Sequence, residues 1–270
     1  MIPSPLRWVG GKRTSRVMIA DYLPRDAECY CEVFAGAAWV LFEKKPHPVE
    51  VLNDANGDLV NLWRVIKWRP AELLEEVQKY LYSREMFDEW RRKRPDGSDE
   101  MDRAVWLYLL IQTSFGAETR SATFGYRKSS PQPLFLDKSL RQFEPAKERL
   151  RNVFIEHGDF EKVISRYDQP RTIFYCDPPY LDTCGYEVPF SEQDHERLAT
   201  TLRGIEGRFL VTVNDDPRLR AMYDGFHVVE TEEKRSKSRK IEGRVVAPVL
   251  LIANYPLHRS ETLPLGLFDT

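Results

Sequence analysis

Residues 171–180 read Arg171-Thr172-Ile173-Phe174-Tyr175-Cys176-Asp177-Pro178-Pro179-Tyr180, an apolar, aromatic and β-branched run that stops at two prolines. The run 171–176 has the composition of a buried strand. Pro178 and Pro179 cannot continue a hydrogen-bonded ladder, so the chain must leave the sheet there. In an open α/β sheet that exit, at the carboxyl end of a strand, is where ligands bind. Neither proline has an N–H to donate, while the carbonyls remain available as acceptors. Asp177 adds a carboxylate and Tyr180 an aromatic face. Two acceptors beside one flat ring suit a planar group bearing an exocyclic NH₂. The alternative is a proline-stiffened loop with a surface aspartate.

Outward from this strand the periodicity alternates between strand and helix, which predicts an α/β fold. Towards the N-terminus the pattern gives a helix over 14–23, a strand over 29–34, a helix to about residue 44 and a strand over 49–52. Towards the C-terminus it gives a helix opened by Ser191 with Asp194 at the capping-box position. A strand over 209–213 and a closing pair over 226–231 and 245–254 follow. Residues 59–150 carry almost no strand signal until a stretch around 119–126. They include an apolar helix over 104–111 and a helix capped by Ser139 with Leu140, Phe143 and Leu150 inward. The expected organisation is a discontinuous α/β domain from 1–58 and 151–258. A mostly helical block over 59–150 interrupts it, and 259–270 form a tail.

Two further motifs lie near the N-terminus. Phe34-Ala35-Gly36-Ala37-Ala38 follows the strand over 29–34 and opens a helix. Small residues there let a ligand approach the backbone. One glycine is a poor match to the dinucleotide pattern, and the P-loop Lys and Ser/Thr are missing. Asp54 ends the next strand, eighteen residues after Gly36, where an acid would grip ribose hydroxyls. Together they indicate a nucleoside ligand without requiring a pyrophosphate. Trp8-Val9-Gly10-Gly11-Lys12 offers an apolar wall, close backbone approach and a positive donor; a flexible turn is the other reading.

These motifs, in this order, resemble the Dam-like family of DNA adenine-N6 methyltransferases. The resemblance runs from Leu6 to about Pro256 and includes Gly158-Asp159-Phe160 and Asp194-His195. It implies a Rossmann-like class I S-adenosylmethionine-dependent methyltransferase fold, with the helical block as a target-recognition domain. It makes Trp8, Gly10, Gly11, Lys12, Asp54 and Asp177 contacts to S-adenosylmethionine, brings Phe34, Ala35 and Gly36 close to it, and adds Asp159 and Phe160. Asp177, Pro178, Pro179 and Tyr180 become the catalytic segment around a flipped-out adenine. Ala38 departs from the family pattern, which more usually has a second glycine there. The chemistry suits the residues: hydrogen bonds from N6–H to Asp177 and to the Pro178 carbonyl would localise a lone pair otherwise delocalised into the ring, and no cysteine nucleophile is needed.

Charge refines this picture. The chain has 270 residues, 42% hydrophobic and 30% charged, with a net charge of −2, so any positive nucleic-acid surface must be local. Lys234, Arg235, Lys237, Arg239 and Lys240 stand between the closing strands as a candidate phosphate clamp or a solvated hairpin tip. Arg120 and Arg127 are candidate readers of guanine edges or phosphates, with Lys128 beside them. The segment lacks the Asn- and Pro-containing pattern of the GATC readers, so the target site stays open. Arg91-Arg92-Lys93-Arg94 precedes an acidic stretch and reads as a solvated helix end.

Duplex DNA is the expected partner. A cognate restriction endonuclease belongs to the same picture, with a monomer or weak dimer as the unit. Four cysteines without zinc spacing give no metal site and a cytoplasmic protein with free thiols. No apolar run is long enough to span a bilayer, and no signal peptide is expected. An N-methyltransferase acting on RNA or a protein amide is the enzyme alternative, because the same four-residue corner serves any planar NH₂. A DNA-binding module without catalysis is opposed by the intact Asp177–Tyr180 segment. A nicotinamide oxidoreductase is opposed by the single-glycine turn.

Overall fold

The computed structural model describes residues 2–80, 83–92, 94–95, 99–117, 119, 122–125, 140–182, 188–234 and 246–258. Its centre is a seven-stranded mixed sheet of β1 (Cys29–Glu32), β2 (Val49–Asp54), β3 (Val153–His157), β4 (Thr172–Cys176), β5 (Arg208–Asn214), β6 (His227–Lys234) and β7 (Val246–Ala253). The order is β3-β2-β1-β4-β5-β7-β6. The first five strands are parallel, and β7 runs antiparallel between β5 and β6. This is the arrangement of a Rossmann-like class I methyltransferase. The order reverses beside β1 and β4, and a crevice for ligand opens at their carboxyl ends.

Alternation along the strands assigns the two faces. Tyr30, Leu52, Ile173, Tyr175, Leu210 and Leu251 enter one core. Cys31, Val51, Phe174, Cys176, Val211 and Ile252 enter the other. The first core is covered by α1 (Arg16–Tyr22) and α2 (Trp39–Glu43), and by helices lying between β2 and β3. These are α3 (Gly57–Trp68), α4 (Pro70–Gln78), α5 (Arg84–Arg92), α6 (Glu100–Thr113) and α7 (Phe143–Leu150). The second core is covered by α8 (Phe160–Tyr167), α9 (Glu192–Arg203) and α10 (Pro217–Met222). Among the described residues the segment between β2 and β3 is helical apart from one bridge, Ser114 to Phe124. Its α6 is buried on nearly every side, as its apolar sequence predicts.

The sequence reading assigned no strand to 153–157, which forms the edge strand β3. It began the basic segment at Lys234, which closes β6. Ser139 lies outside the described residues. Several helices beside the crevice carry side-chain caps. Asn56 accepts from Asp58 N and Leu59 N at α3, Asp159 from Glu161 N at α8, and Ser191 with Asp194 forms the expected capping box at α9. Each such cap contributes roughly 1 kcal/mol. Because α3 and α8 start directly after β2 and β3, the caps fix the same turns that line the crevice.

Candidate active site

The two prolines end β4 as expected and turn the chain across the carboxyl edge of the sheet. The Leu181 amide donates to Asn214 Oδ1 at 3.0 Å, which ties the segment to the end of β5. His195 Nε2 lies 3.1 Å from the Pro179 carbonyl oxygen. A carbonyl only accepts, so Nε2 carries the proton. The ring is fully buried and packs edge-on against Phe190, and burial lowers its pKa, which suits a neutral imidazole. The Pro179 carbonyl is thereby engaged. Among the described residues none donates a hydrogen bond to the Pro178 carbonyl.

Asp177 bonds to residues from two other places in the chain. Lys12 Nζ lies 2.8 Å from Asp177 Oδ1, and Thr212 Oγ1 donates to the same oxygen at 2.7 Å. Lys12 Nζ also stands 4.7 Å from the centre of the Tyr180 ring and 3.5 Å from Glu233 Oε2. The Tyr180 hydroxyl donates to that Glu233 oxygen at 3.2 Å. Burial pushes the Asp177 carboxyl above the usual carboxylate range, and Lys12 and Thr212 pull it back. Surrounding acids outweigh desolvation at Lys12 and hold its ammonium strongly protonated.

Beside this corner a cavity opens between the first two strands and the loop after β4. Trp8, Gly10, Gly11, Lys12, Phe34, Gly36, Asp54, Asp159, Phe160 and Asp177 all line it, so the structure brings the sequence-predicted cofactor residues together. Asp54 Oδ2 accepts from Gly36 N at 3.0 Å, and Oδ1 accepts from Asn56 N at 2.9 Å. The turn between Gly36 and Asp54 is thus one hydrogen-bonded unit, secured from behind by Trp63 Nε1 on the Gly36 carbonyl at 3.0 Å. Gly36 has φ +45°, and a Cβ there would come within 3.0 Å of the Trp8 indole, so a side chain is excluded twice over. Ala38 has φ 51° and ψ 34°, a left-handed conformation that disfavours any side chain. The departure noted at Ala38 therefore falls where a glycine would be relaxed.

Sequence reasoning did not single out several residues of the site. Phe190 joins Phe34 and Phe160, with ring centres 5.5 and 5.7 Å away, as an apolar wall. Arg197 lies 4.9 Å from the Phe160 ring and pairs with Asp159, Glu161 and Asp194. Glu32 ends β1 inside the cavity with one oxygen taken by Tyr30 OH at 2.7 Å and Leu41 N at 2.9 Å, and burial raises its pKa to about 8. Thr212 and Glu233 stand at the corner itself. The acids at strand ends were visible as residue types, but their convergence needed the sheet order.

Of the residues expected to meet DNA, Arg120, Arg127, Lys128, Arg235, Lys237, Arg239 and Lys240 lie outside the described residues. Only the backbone of Lys234 is described. In the other basic run, Arg94 bonds to the buried Asp58 at 2.8 Å and Arg91 reaches the Ala122 carbonyl at 3.4 Å. No helix among the described residues is long and apolar enough to cross a membrane.

Comparison with known proteins finds relatives over most of the chain. A type II methyltransferase of Lactococcus lactis subsp. cremoris is 27% identical, covering 92% of this chain and 94% of the relative. A type II methyltransferase of Paramecium bursaria Chlorella virus NC1A is 24% identical, over 93% and 98% of the two chains. A DNA adenine methylase of Escherichia coli is 25% identical, over 86% and 89%. The family model for D12 class N6 adenine-specific DNA methyltransferases matches residues 8–237, which spans the Trp8–Lys12 turn, the Asp177–Tyr180 corner and β6; the chain belongs to that family.

Proposed function

We propose that the Asp177–Tyr180 corner holds an adenine of duplex DNA and that a methyl group from S-adenosylmethionine passes there to N6. One observation carries this reading. Asp177, whose hydrogen bonds among the described residues both fall on Oδ1, lines the crevice; the Pro178 carbonyl, to which no described residue donates, follows it directly, and the Tyr180 ring stands beside the same Lys12 ammonium. Two acceptors take the two N6–H donors, and the nitrogen lone pair is then held out of conjugation with the ring. The acceleration is positional and electrostatic, and fixed geometry of this kind can remove roughly 7–11 kcal/mol of barrier. An ionised Asp177 is the stronger acceptor, and Lys12 and Thr212 favour that form against the cost of burial.

The cavity's donor set fits the cofactor. An aromatic wall of Phe34, Phe160 and Phe190 suits a purine, Asp54 suits ribose hydroxyls, and Asp159 and Asp177 give a negative surround for a cationic sulfonium. When bound, S-adenosylmethionine supplies the electrophilic methyl. Trp8, Gly10, Gly11, Lys12, Ala35 and Gly36 close the site around it in this reading, and the absence of a Cβ at Gly36 leaves room at the turn.

The target base lies inside a duplex, so it has to swing out, with Tyr180 replacing about 1–3 kcal/mol of lost stacking. Lys234, Arg235, Lys237, Arg239 and Lys240 are assigned to phosphates, and Arg120, Arg127 and Lys128 within a recognition segment over 59–150 to the target site. The type II relatives support a paired restriction endonuclease as partner. The buried free thiols of Cys29, Cys31 and Cys176 suit the cytoplasm. Transfer of labelled methyl from S-adenosylmethionine to duplex DNA, compared with RNA and protein, tests the assignment. Label on duplex adenine is expected; label on RNA or protein with DNA left unlabelled would overturn it.

A further inference from the structure

Asp177 has two carboxylate oxygens, and among the described residues only one of them is hydrogen-bonded. Thr212 Oγ1 reaches Oδ1 at 2.7 Å, and Lys12 Nζ reaches the same oxygen at 2.8 Å. Thr212 is fully buried in β5, and its hydroxyl is held from the other side by the Tyr175 phenol at 3.2 Å. Lys12 is shared with a second acid, Glu233 of β6, whose Oε2 is 3.5 Å from the ammonium and 3.2 Å from the Tyr180 hydroxyl. The other oxygen of Glu233 accepts from Ser15 at 2.8 Å, so the glutamate is anchored at both ends.

A carboxylate left to rotate would present either oxygen to an incoming amine. Here the rotor is pinned. Glu233 also draws part of the ammonium's charge away from Asp177, which leaves Asp177 the better acceptor, and it fixes the hydroxyl end of the Tyr180 ring. We propose that Thr212 and Glu233 are positioning residues for methyl transfer: together they commit Asp177 Oδ1 to the protein, reserve Oδ2 for the target NH₂ and hold the Tyr180 ring beside it. This rests on Asp177 being the acceptor of the target amine.

The test separates turnover from binding. Steady-state kcat, KM for duplex DNA and calorimetric affinity for S-adenosylmethionine are measured for Thr212→Val, Thr212→Ser, Glu233→Gln and Asp177→Ala. Thr212→Val keeps the shape and removes the donor, and Glu233→Gln keeps an acceptor for Tyr180 and removes the charge. Displacement of a reacting group by about 1 Å can cost 10²-fold, so each should lower kcat by about 10- to 100-fold. Both KM and cofactor affinity should stay within about threefold, and Thr212→Ser should restore most of kcat. Either Thr212→Val or Glu233→Gln retaining kcat within about twofold of wild type, or losing cofactor affinity as much as kcat, overturns the inference. If Thr212→Val does not fold, Glu233→Gln decides alone. An active Asp177→Ala would sink the underlying reading, whereas a dead Asp177→Ala beside fully active Thr212→Val and Glu233→Gln would sink only this one.

Discussion

The Lys12 ammonium lies 2.8 Å from Oδ1 of Asp177, joining the first glycine turn of the chain to the carboxyl end of β4. Both groups are largely withdrawn from water, with side-chain exposures of 5% and 17%, so neither is well solvated without the other. The pair couples the wall of the cofactor cavity to the catalytic corner. Lys12→Met should leave an unpaired buried carboxyl whose pKa, already raised by burial, climbs further. Thr212, Tyr175, Tyr180 and Glu233 still face it, and only Thr212 favours its charge. Protonated Asp177 cannot accept through a lone pair as strongly, so the acid limb of single-turnover methyl transfer should move to higher pH by about one unit or more. An unmoved limb would show that Lys12 does not set the ionisation of Asp177.

Ala38 occupies left-handed space with φ 51°. Replacing it by glycine removes the Cβ clash and leaves the Gly36–Asp54 bond in place. Ala38→Gly should raise unfolding free energy by about 0.5–1 kcal/mol in urea titration. Ala38→Val should lower it by more. A glycine variant less stable than wild type would mean that the alanine methyl packs well enough to outweigh its backbone cost.

Glu32 predicts a pH dependence of stability. Its pKa lies near 8 in the folded chain against an ordinary 4.5, because burial outweighs the hydrogen bonds from Tyr30 and Leu41. Between those pH values the folded chain holds a proton that the unfolded chain has released. Stability contributed by this group therefore falls as pH rises through the window, by up to about 1.4 kcal/mol per unit. Glu32→Gln keeps an acceptor oxygen and abolishes the titration. Denaturant midpoints should fall less steeply from pH 5 to 8 in the variant, and the variant should be the more stable at pH 8. Equal slopes would contradict this.

Phe190 closes the aromatic wall from the loop after β4, 5.5 Å from Phe34 and 5.7 Å from Phe160. Aromatic pairs of this kind contribute about 0.5–1.5 kcal/mol beyond burial. Phe190→Ala should weaken S-adenosylmethionine binding by about three- to tenfold in calorimetry, with kcat at saturating cofactor little changed. A large fall in kcat with unchanged affinity would move Phe190 from the cofactor wall to the catalytic corner.

The corner was legible in the sequence because its information is local. A strand running into two prolines has one physical outcome, and Asp177 and Tyr180 flank the break. Gly36 and Asp54 were legible for the same reason, each sitting at the end of a short strand. β3 was not: it is an edge strand whose Phe154 is 57% exposed, so inward and outward residues alternate only weakly before Glu156 and His157. Its cue was the cap that follows, Gly158-Asp159, which predicts a strand-to-helix turn. Thr212 and Glu233 carried no motif. Thr212 reaches Asp177 because β5 pairs directly with β4, Cys176 opposite Val211, and Glu233 reaches Tyr180 from β6, beyond the antiparallel β7; both neighbourhoods are properties of the sheet order rather than of either segment.

The most direct test of the central claim is nucleoside mass spectrometry of plasmid DNA incubated with S-adenosylmethionine and either the wild-type chain or Asp177→Ala, at matched cofactor occupancy. The wild-type digest should contain N6-methyldeoxyadenosine and no methylated cytosine, and the variant digest neither. Methylated adenine persisting at comparable yield in the variant, or a wild-type product methylated on a different base, would contradict the assignment of that aspartate to the amine of adenine.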